Sequence, residues 1–219
     1  MNDLQHSMPQ PPTVGSTGDP SPLYSRWLKR GDLVFDIGAH VGDRTRAFLA
    51  MGCRVVAVEP QADCAQRIPA EATVINKAVA SDREGRAFFR CDASTYMSTV
   101  VEGYPNDVYA HGGYRFREAG RVETVTLDDL IGEYGVPAFC KIDVEGNEAD
   151  VLAGLSVALP ALSFEVHDFN PEKAYVCVDM LQRLGSYHFD YSPRESFELE
   201  QYPPAEWAIF GDVYATRIR

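Results

Sequence analysis

The run Leu33-Val34-Phe35-Asp36-Ile37 is almost wholly apolar and stops at Gly38. A strand so short and so apolar has no polar face to turn to water, so both its faces must be covered. The pattern recurs at Arg54–Val58, at 138–142 and at 162–166, with a shorter version at Thr73–Ile75. Residues with helical spacing lie between these runs. Residues 43–51 read as a helix closed by Gly52, and 61–68 as a weaker one. Leu127, Leu130, Ile131 and Tyr134 form a stripe that opens on a Thr126-x-x-Asp129 capping pattern. Asn147 opens a helix with the stripe Val151, Leu152, Leu155 and Leu159, stopped by Pro160. Ala174, Cys177, Val178, Leu181 and Leu184 form another, closed by Gly185, before two last strands at 187–191 and 207–214. Buried strands alternating with helices predict an α/β fold with a doubly wound, mostly parallel sheet covered on both faces.

A length of 219 residues suits one domain with a full core and is short for two. Residues 1–22 carry Pro9, Pro11, Pro12, Pro20 and Pro22 among small polar residues and read as a disordered tail. The domain then covers 23–219, entered by a short helix over 23–30. Ala78-Val79-Ala80 and Ala87-Phe88-Phe89 flank a turn cluster at 81–85 and predict a hairpin. Residues 95–119 read as a long irregular insertion, and 122–126 alternates like a strand. The insertion carries Tyr96, Met97, Tyr104, Tyr109, His111 and Tyr114, which either face a substrate or form a small core beneath the loop. His111-Gly112-Gly113 would suit a lid hinge.

The net charge of −12 repels phosphate backbones and anionic bilayers, so neither nucleic acid nor membrane is an expected partner. No stretch approaches the length of a membrane span, and the start lacks a basic-then-apolar leader. Cys53, Cys64, Cys91, Cys140 and Cys177 are odd in number and form no Cys-x-x-Cys pair, which fits reduced thiols. A cytoplasmic location follows as the expectation by elimination.

In open α/β sheets, ligands sit beyond the carboxyl ends of the strands. The first strand ends in Asp36-Ile37-Gly38-Ala39-His40-Val41-Gly42. Gly38 and Gly42 permit a sharp turn and close backbone approach to a ligand, and the helix that follows offers free N–H groups. The spacing is Gly-x-x-x-Gly, not the Gly-x-Gly-x-x-Gly of dinucleotide-binding loops. Glu59 ends the second strand, 21 residues beyond Gly38 (59 − 38). A carboxylate there can accept hydrogen bonds from both ribose hydroxyls of a nucleoside. Nicotinamide-dependent enzymes place an acid at the same point.

Several stretches then resemble the motifs of one family. Val34 to Gly42 resembles the first motif of the FkbM family of methyltransferases, and Val56-Ala57-Val58-Glu59-Pro60 the second. Asn76-Lys77-Ala78-Val79-Ala80-Ser81-Asp82-x-x-Gly85 resembles the third. Val125-Thr126-Leu127-Asp128-Asp129-Leu130 and Lys141-Ile142-Asp143-Val144-Glu145-Gly146-Asn147-Glu148 resemble its two most distinctive stretches, and Phe164-Glu165-Val166-His167 a late strand. Together they span about residues 31–167. The resemblance implies a class I methyltransferase fold, Rossmann-like with an antiparallel last strand, that binds S-adenosylmethionine. It further implies methylation of a hydroxyl oxygen on a sugar or a polyketide-type natural product. By the same resemblance Asp36, Gly38 and Gly42 line the methionine half of the cofactor, and Ala39, His40 and Asp143 are cofactor-binding as well. Glu59, followed by Pro60, holds the ribose, and Asn76, Ala78 and Val79 lie near the adenine. Asn147 departs from the small residue that members often carry, and no function is attached to it.

Methyl transfer needs acceptor and methyl held in line, and an alcohol acceptor must also lose a proton. Asp143, Glu145, Glu165 and His167 all follow or end strands at the mouth of the sheet. His167 or Asp143 serves as general base in one hypothesis; His is apt because its ordinary pKa is about 6.5. In the other, Asp143, Glu165 and His167 hold a divalent ion, Mg or Mn. The base ranks ahead of the ion, and no metal ligand is assigned. Structural roles compete with each of these. Glu145 and Glu148 would favour a helix N-terminus, Lys141 would pair with a carboxylate, and His40 would be a spacer. The expected partner is a small-molecule acceptor, with a homodimer left open. The rival functions are a nicotinamide-dependent oxidoreductase and a non-catalytic relative that binds S-adenosylmethionine.

Overall fold

The computed structural model describes residues 19–92, 94–102, 115–167, 171–194, 196–204 and 210–218. Strand β1 (Leu33–Ile37) is buried along its whole length because parallel neighbours flank it and helices cover both faces. Those neighbours are β2 (Arg54–Val58) and β8 (Phe139–Ile142). Outside β2 lies β3 (Thr73–Ile75), and outside β8 lies β9 (Ala161–His167). Next to β9, β12 (Phe210–Arg217) runs antiparallel, followed by β10 (Tyr187–Pro193) and the short β11 (Glu200–Gln201). Among the described residues the order is β11-β10-β12-β9-β8-β1-β2-β3. The sheet is thus doubly wound and mostly parallel with an antiparallel β12, as expected. The chain winds outward from β1 through β3, then returns to start again at β8. The switch point therefore falls between β1 and β8, where ligands bind in such sheets.

The alternation along each strand divides the core in two. Leu33, Phe35, Ile37, Cys140, Ile142, Leu162 and Phe164 face α4 (Leu127–Tyr134), α5 (Glu148–Ala153) and α6 (Pro171–Leu184). Val34, Ala57, Phe139, Ala161 and Tyr214 face α1 (Ser21–Tyr24) and α2 (Asp43–Ala50). On this second side Phe139 meets Tyr24 edge-on at 5.4 Å, and Trp27 stacks on Tyr214 at 5.4 Å. The Trp27 indole N–H donates to Thr216 Oγ1 at 2.8 Å, pinning the entering chain to the antiparallel strand. Among the described residues no helix is long and apolar enough to cross a membrane.

Several local expectations are corrected. The entering helix is one turn, beginning at Ser21 rather than 23, with proline in its first turn. The helix expected over 61–68 is α3 (Ala62–Ala65), after which i→i+3 turns lead to Pro69. The hairpin does not form. β4 (Ala78–Val79) pairs in parallel with β7 (Thr124–Val125), while β5 (Arg86–Cys91) pairs antiparallel with β6 (Phe116–Val122). The turn cluster is held otherwise: Asp82 takes the Arg86 guanidinium, and Gly85 N–H donates to Thr124 Oγ1. Each flank is thereby delivered to a partner from later in the chain. Residues 116–119 are strand rather than insertion, and the 122–126 run divides at Glu123. Thr95–Met97 is a 3₁₀ turn, while Tyr104, Tyr109, His111 and Tyr114 lie outside the described residues. So do residues 1–18 of the expected tail and 205–209 of the expected last strand. α5 ends at Ala153 and is capped by Gly154, where a Cβ would stand 2.6 Å from the Ala80 carbonyl oxygen. Leu155 and Leu159 stay buried but lie beyond the helix.

Phe139 is fully buried where both sequence-distant aromatic layers meet. Phe139→Ala is expected to cost about 3–5 kcal/mol. Urea unfolding followed by near-ultraviolet circular dichroism measures this loss.

Candidate active site

The loop after β1 is shaped by contacts that only its own residues permit. Gly38 and Ala39 N–H both donate to the Val58 carbonyl, at 2.9 and 3.1 Å, tying the loop to β2. Gly38 has φ 77°, and a Cβ there would stand 1.7 Å from the Asp143 carbonyl oxygen. The ends of β1 and β8 are thus in backbone contact. Gly42, at φ 87°, precedes α2, and a Cβ would press on Pro69 and Ile68 at 3.0–3.2 Å. His40 takes a left-handed φ of 49° without being glycine. It is held there by its N–H to Glu59 Oε2 (2.9 Å), its Nε2 with Thr95 Oγ1 (2.8 Å) and its ring on Tyr96 (centroids 3.7 Å apart). Burial lowers the His40 imidazole to about 4, so it is neutral at neutral pH.

Glu59 is 3% exposed and gathers the loops around β2. Its Oε2 accepts from His40 N–H and its Oε1 from Gln61 N–H, at 2.7 Å. Burial raises it to about 7 against the lowering effect of these two bonds. Asn76 donates to the carbonyls of Glu59 and Pro60, at 2.8 and 3.0 Å, closing the end of β3 onto β2. Ala78 and Val79 are buried just beyond, in β4. Gln61 Nε2 donates to the Thr95 carbonyl at 2.9 Å, so the 3₁₀ turn lies across this corner. Gln61 Oε1 and His40 Nδ1 are buried there without a hydrogen-bond partner among the described residues.

A polar row crosses the face of the sheet beneath the loop. Asp36 and Lys141 are register partners and project to the same side, the side of Ser163 and Glu165 on β9. Asp36 is fully buried; its Oδ2 accepts from Thr45 Oγ1 of α2 at 2.6 Å, and its Oδ1 lies 3.8 Å from Lys141 Nζ. Lys141 Nζ donates to Asp143 Oδ2 at 3.0 Å. Burial alone would discharge Lys141, but Asp143 and Asp36 outweigh it and hold the ammonium charged. Burial would likewise raise Asp143, yet the Lys141 charge and hydrogen bond keep it below the usual carboxylate range. Glu165, hydrogen-bonded to Asp143, is driven the other way. Burial, then the charges of Asp143, Glu145, Glu148 and Asp212, push it well above the usual range.

The loop after β8 carries Glu145 into the same corner. Glu145 and Gly146 are both left-handed, at φ 54° and 94°. Glu148, the first residue of α5, fixes them: its Oε1 accepts the N–H groups of Val144 (3.3 Å) and Gly146 (3.1 Å). Thr99 Oγ1 donates to the Glu145 carbonyl at 2.8 Å, and Lys173 Nζ to the Gly146 carbonyl at 3.2 Å. Donor atoms of Glu145, Glu165 and His167 consequently lie within 4.8 Å of one another. The set of Asp143, Glu165 and His167 foreseen from sequence differs by one member, because Asp143 is turned onto Lys141. Asn147 stands at the N-cap of α5 but makes no capping hydrogen bond; its amide reaches toward Val79 and Asp150 instead. Gln61, Thr95 and Thr99 were not among the residues read from sequence as functional. The capping acid at Glu148, two residues after a glycine, was the available signal for the loop.

A glycine loop at the switch point, a buried acid at the end of β2 and acids at the ends of β8 and β9 define the class I methyltransferase type of α/β domain. The chain belongs to the FkbM methyltransferase family: the methyltransferase FkbM domain matches residues 36–191. It is 27% identical over 141 residues to the hexuronic acid methyltransferase AglP of Haloferax volcanii, covering 62% of this chain and 56% of that protein. It is 28% identical over 162 residues to the 2-O-methyltransferase NoeI of Sinorhizobium fredii, covering 67% of each. The match thus spans little more than half of one relative and two thirds of the other. Its fold is similar to that of a precorrin-6y C5,15-methyltransferase from Geobacter metallireducens, at a TM-score of 0.51 and 10% identity over 96% of this chain and 94% of that one.

Two outcomes test this electrostatic frame. Lys141→Met leaves Asp36 and Asp143 buried without their counter-charge, at an expected cost of about 3–5 kcal/mol in urea unfolding. Glu148 is raised by burial from 4.5 to about 7. The folded state therefore binds its proton more tightly than the unfolded chain does. Its contribution is fully present below the unfolded value of 4.5 and is lost as pH rises to about 7. Glu148→Gln keeps an oxygen toward the two N–H groups and removes this titration. The fall of unfolding free energy across that window is expected to flatten by up to about 1.4 kcal/mol per pH unit.

Proposed function

We propose that the chain transfers the methyl group of S-adenosylmethionine to a hydroxyl oxygen of a sugar or a similar small molecule. One observation carries this reading. In a chain of the FkbM methyltransferase family, the Gly38–Gly42 loop, Glu59 and Asp143 stand at the carboxyl ends of three adjacent parallel strands. The residues present fit a nucleoside-bearing cofactor. Glu59 offers a buried carboxylate, and beside it Gln61 Oε1 and His40 Nδ1 are buried polar atoms still lacking a partner among the described residues. When bound, S-adenosylmethionine supplies an electrophilic methyl carbon and is released as the thioether.

The chain's own residues bind and orient. Gly38, Ala39, His40 and Gly42 bring backbone close to the methionine end, and Asp36 fixes α2 beneath them through Thr45. Glu59 accepts the ribose hydroxyls next to Pro60, and Asn76, Ala78 and Val79 lie toward the adenine. Asp143 borders both cofactor and acceptor. In the reaction the acceptor O–H bond breaks, the oxygen joins the methyl carbon, and the carbon–sulfur bond breaks with its electron pair left on sulfur. A methyl ether, a thioether and one proton result. Asp143, Glu165 and His167 are the catalytic candidates around that proton. Lys141 holds Asp143 too acidic to take it well, so the acceptor oxygen is activated on the Glu165–His167 side.

The sugar assignment rests on the relatives' names, one specifying hexuronic acid and the other a 2-O position. The net charge of −12 favours such an acceptor over nucleic acid. A location in the cytoplasm belongs to the same proposal. The nicotinamide reading has nothing in the family match to support it.

Calorimetry with S-adenosylmethionine, S-adenosylhomocysteine and NADH tests the reading. The two S-adenosyl ligands are expected to bind and NADH not to. Glu59→Ala removes two charge-assisted hydrogen bonds and should cost about 2–4 kcal/mol, a loss of roughly thirty- to nearly a thousandfold. The ionised carboxylate is the better acceptor, so wild-type affinity should rise with pH up to about 7 and then level off. Failure of both S-adenosyl ligands to bind would end the proposal. Methyl transfer to uronic acids and other sugars then identifies the acceptor.

A further inference from the structure

Acidic side chains are concentrated at the ends of β8 and β9. Glu165 stands directly opposite Asp212 in the β9–β12 register, and like charges in that relation destabilise a sheet. Asp143, Glu145 and Glu148 crowd the same carboxylate. Lys141, on the neighbouring strand, is engaged by Asp36 and Asp143.

Within this crowd Glu165 Oε2 is sealed from solvent and accepts no hydrogen bond among the described residues. It lies 3.8 Å from His167 Nε2, too far for a hydrogen bond. Donor atoms of Glu145, Glu165 and His167 are all mutually within 4.8 Å. Ligands on one ion with bonds of about 2.1–2.4 Å stand roughly 3 Å apart when adjacent and roughly 4–5 Å apart when opposite. The observed spacing is close enough for small side-chain adjustments to bring the three donors onto one ion. Glu145 is delivered to it by a left-handed backbone that Glu148, Thr99 and Lys173 hold from three sides.

We infer that Glu145, Glu165 and His167 bind one divalent cation through two carboxylate oxygens and an imidazole nitrogen. Carboxylates suit Mg and Mn while imidazole suits first-row transition ions, so the mixed set admits an ion of the Mn²⁺ type. Three protein donors leave about three positions of an octahedron for other oxygens. Two neighbouring hydroxyls of a sugar fill two of them, and the cation acidifies the one to be methylated. His167 is then a ligand rather than the general base, and the proton passes to solvent. The catalytic use rests on the methyl-transfer reading above; the binding site does not.

The test is Mn²⁺ titration of the full ligand-free chain, followed by electron paramagnetic resonance of the free ion. One Mn²⁺ per chain is expected. Glu165→Gln and His167→Ala should each weaken binding by about tenfold or more. Glu123→Gln, an exposed acid paired with Lys77, should leave it unchanged. Circular dichroism checks each variant, and if a strand variant fails to fold, Glu145→Gln on the loop decides in its place. Absence of stoichiometric Mn²⁺ binding, or binding that survives these substitutions, overturns the site. S-adenosylhomocysteine affinity, measured on the same proteins, should change little. Mn²⁺ binding without S-adenosylhomocysteine binding leaves the site standing and removes the methyltransferase reading, while the reverse removes the site alone.

Discussion

One ammonium group organises the centre of this protein. Lys141 sits in a buried strand between the carboxylates of Asp36 and Asp143, in a polar row laid across a face whose other end is packed with aromatic and aliphatic side chains. Burying three charges is costly, and apolar residues of the same volume would commonly serve stability as well or better. What the triplet provides is position. It couples β1 to β8 where Gly38 already touches the Asp143 carbonyl, and Asp36 extends the coupling to α2 through Thr45. The glycine loop and the 143–146 loop therefore cannot move independently. A binding cleft at a switch point needs that rigidity, because its two walls come from strands started at opposite ends of the chain's path.

The same triplet sorts the acids around it by role. Contact with Lys141 keeps Asp143 ionised, while Glu165, one strand further from that charge, is pushed toward its neutral form by its neighbours. Two carboxylates in contact thus differ in proton affinity for an identifiable reason, Lys141 beside Asp143 and a crowd of acids around Glu165. Divergence of this kind between adjacent acids is the usual mark of a site doing chemistry. On the far side of the loop, burial raises Glu59 against the pull of its hydrogen bonds and of Lys141, so it is poised to gain from new hydrogen-bond donors.

Much of the frame was legible in the sequence because it is local. The apolar runs of β1, β2, β8 and β9, the acid ending β2 and the Thr126–Asp129 capping box each depend on a few consecutive residues. The failures are long-range or concern direction. β5 pairs with Phe116–Val122 rather than with the adjacent β4, a choice made by contacts far along the chain, from Cys91 with Phe116 to Arg86 with Val122. In a strand buried on both faces, polarity does not reveal which side a residue takes, so the row Asp36, Lys141, Ser163 and Glu165 was invisible as a row. Which of Asp143 and Glu145 enters the acidic corner depends on two left-handed residues and on the Glu148 side chain that fixes them. No hydrophobic pattern encodes that turn.

The segment around residues 95–99 joins what the sheet keeps apart. Thr95 and Tyr96 contact His40, Gln61 and Asp43 at the Glu59 corner, while Thr99 holds the Glu145 carbonyl at the acidic corner. Phe89 pairs with Thr99, so the segment is itself anchored to β5. One short stretch therefore touches both corners. Displacing it toward solvent would free the buried acceptors around Glu59 and, through the same few residues, loosen the backbone that aims Glu145. Because one segment holds contacts at both corners, a change in its position would alter both sets of contacts together.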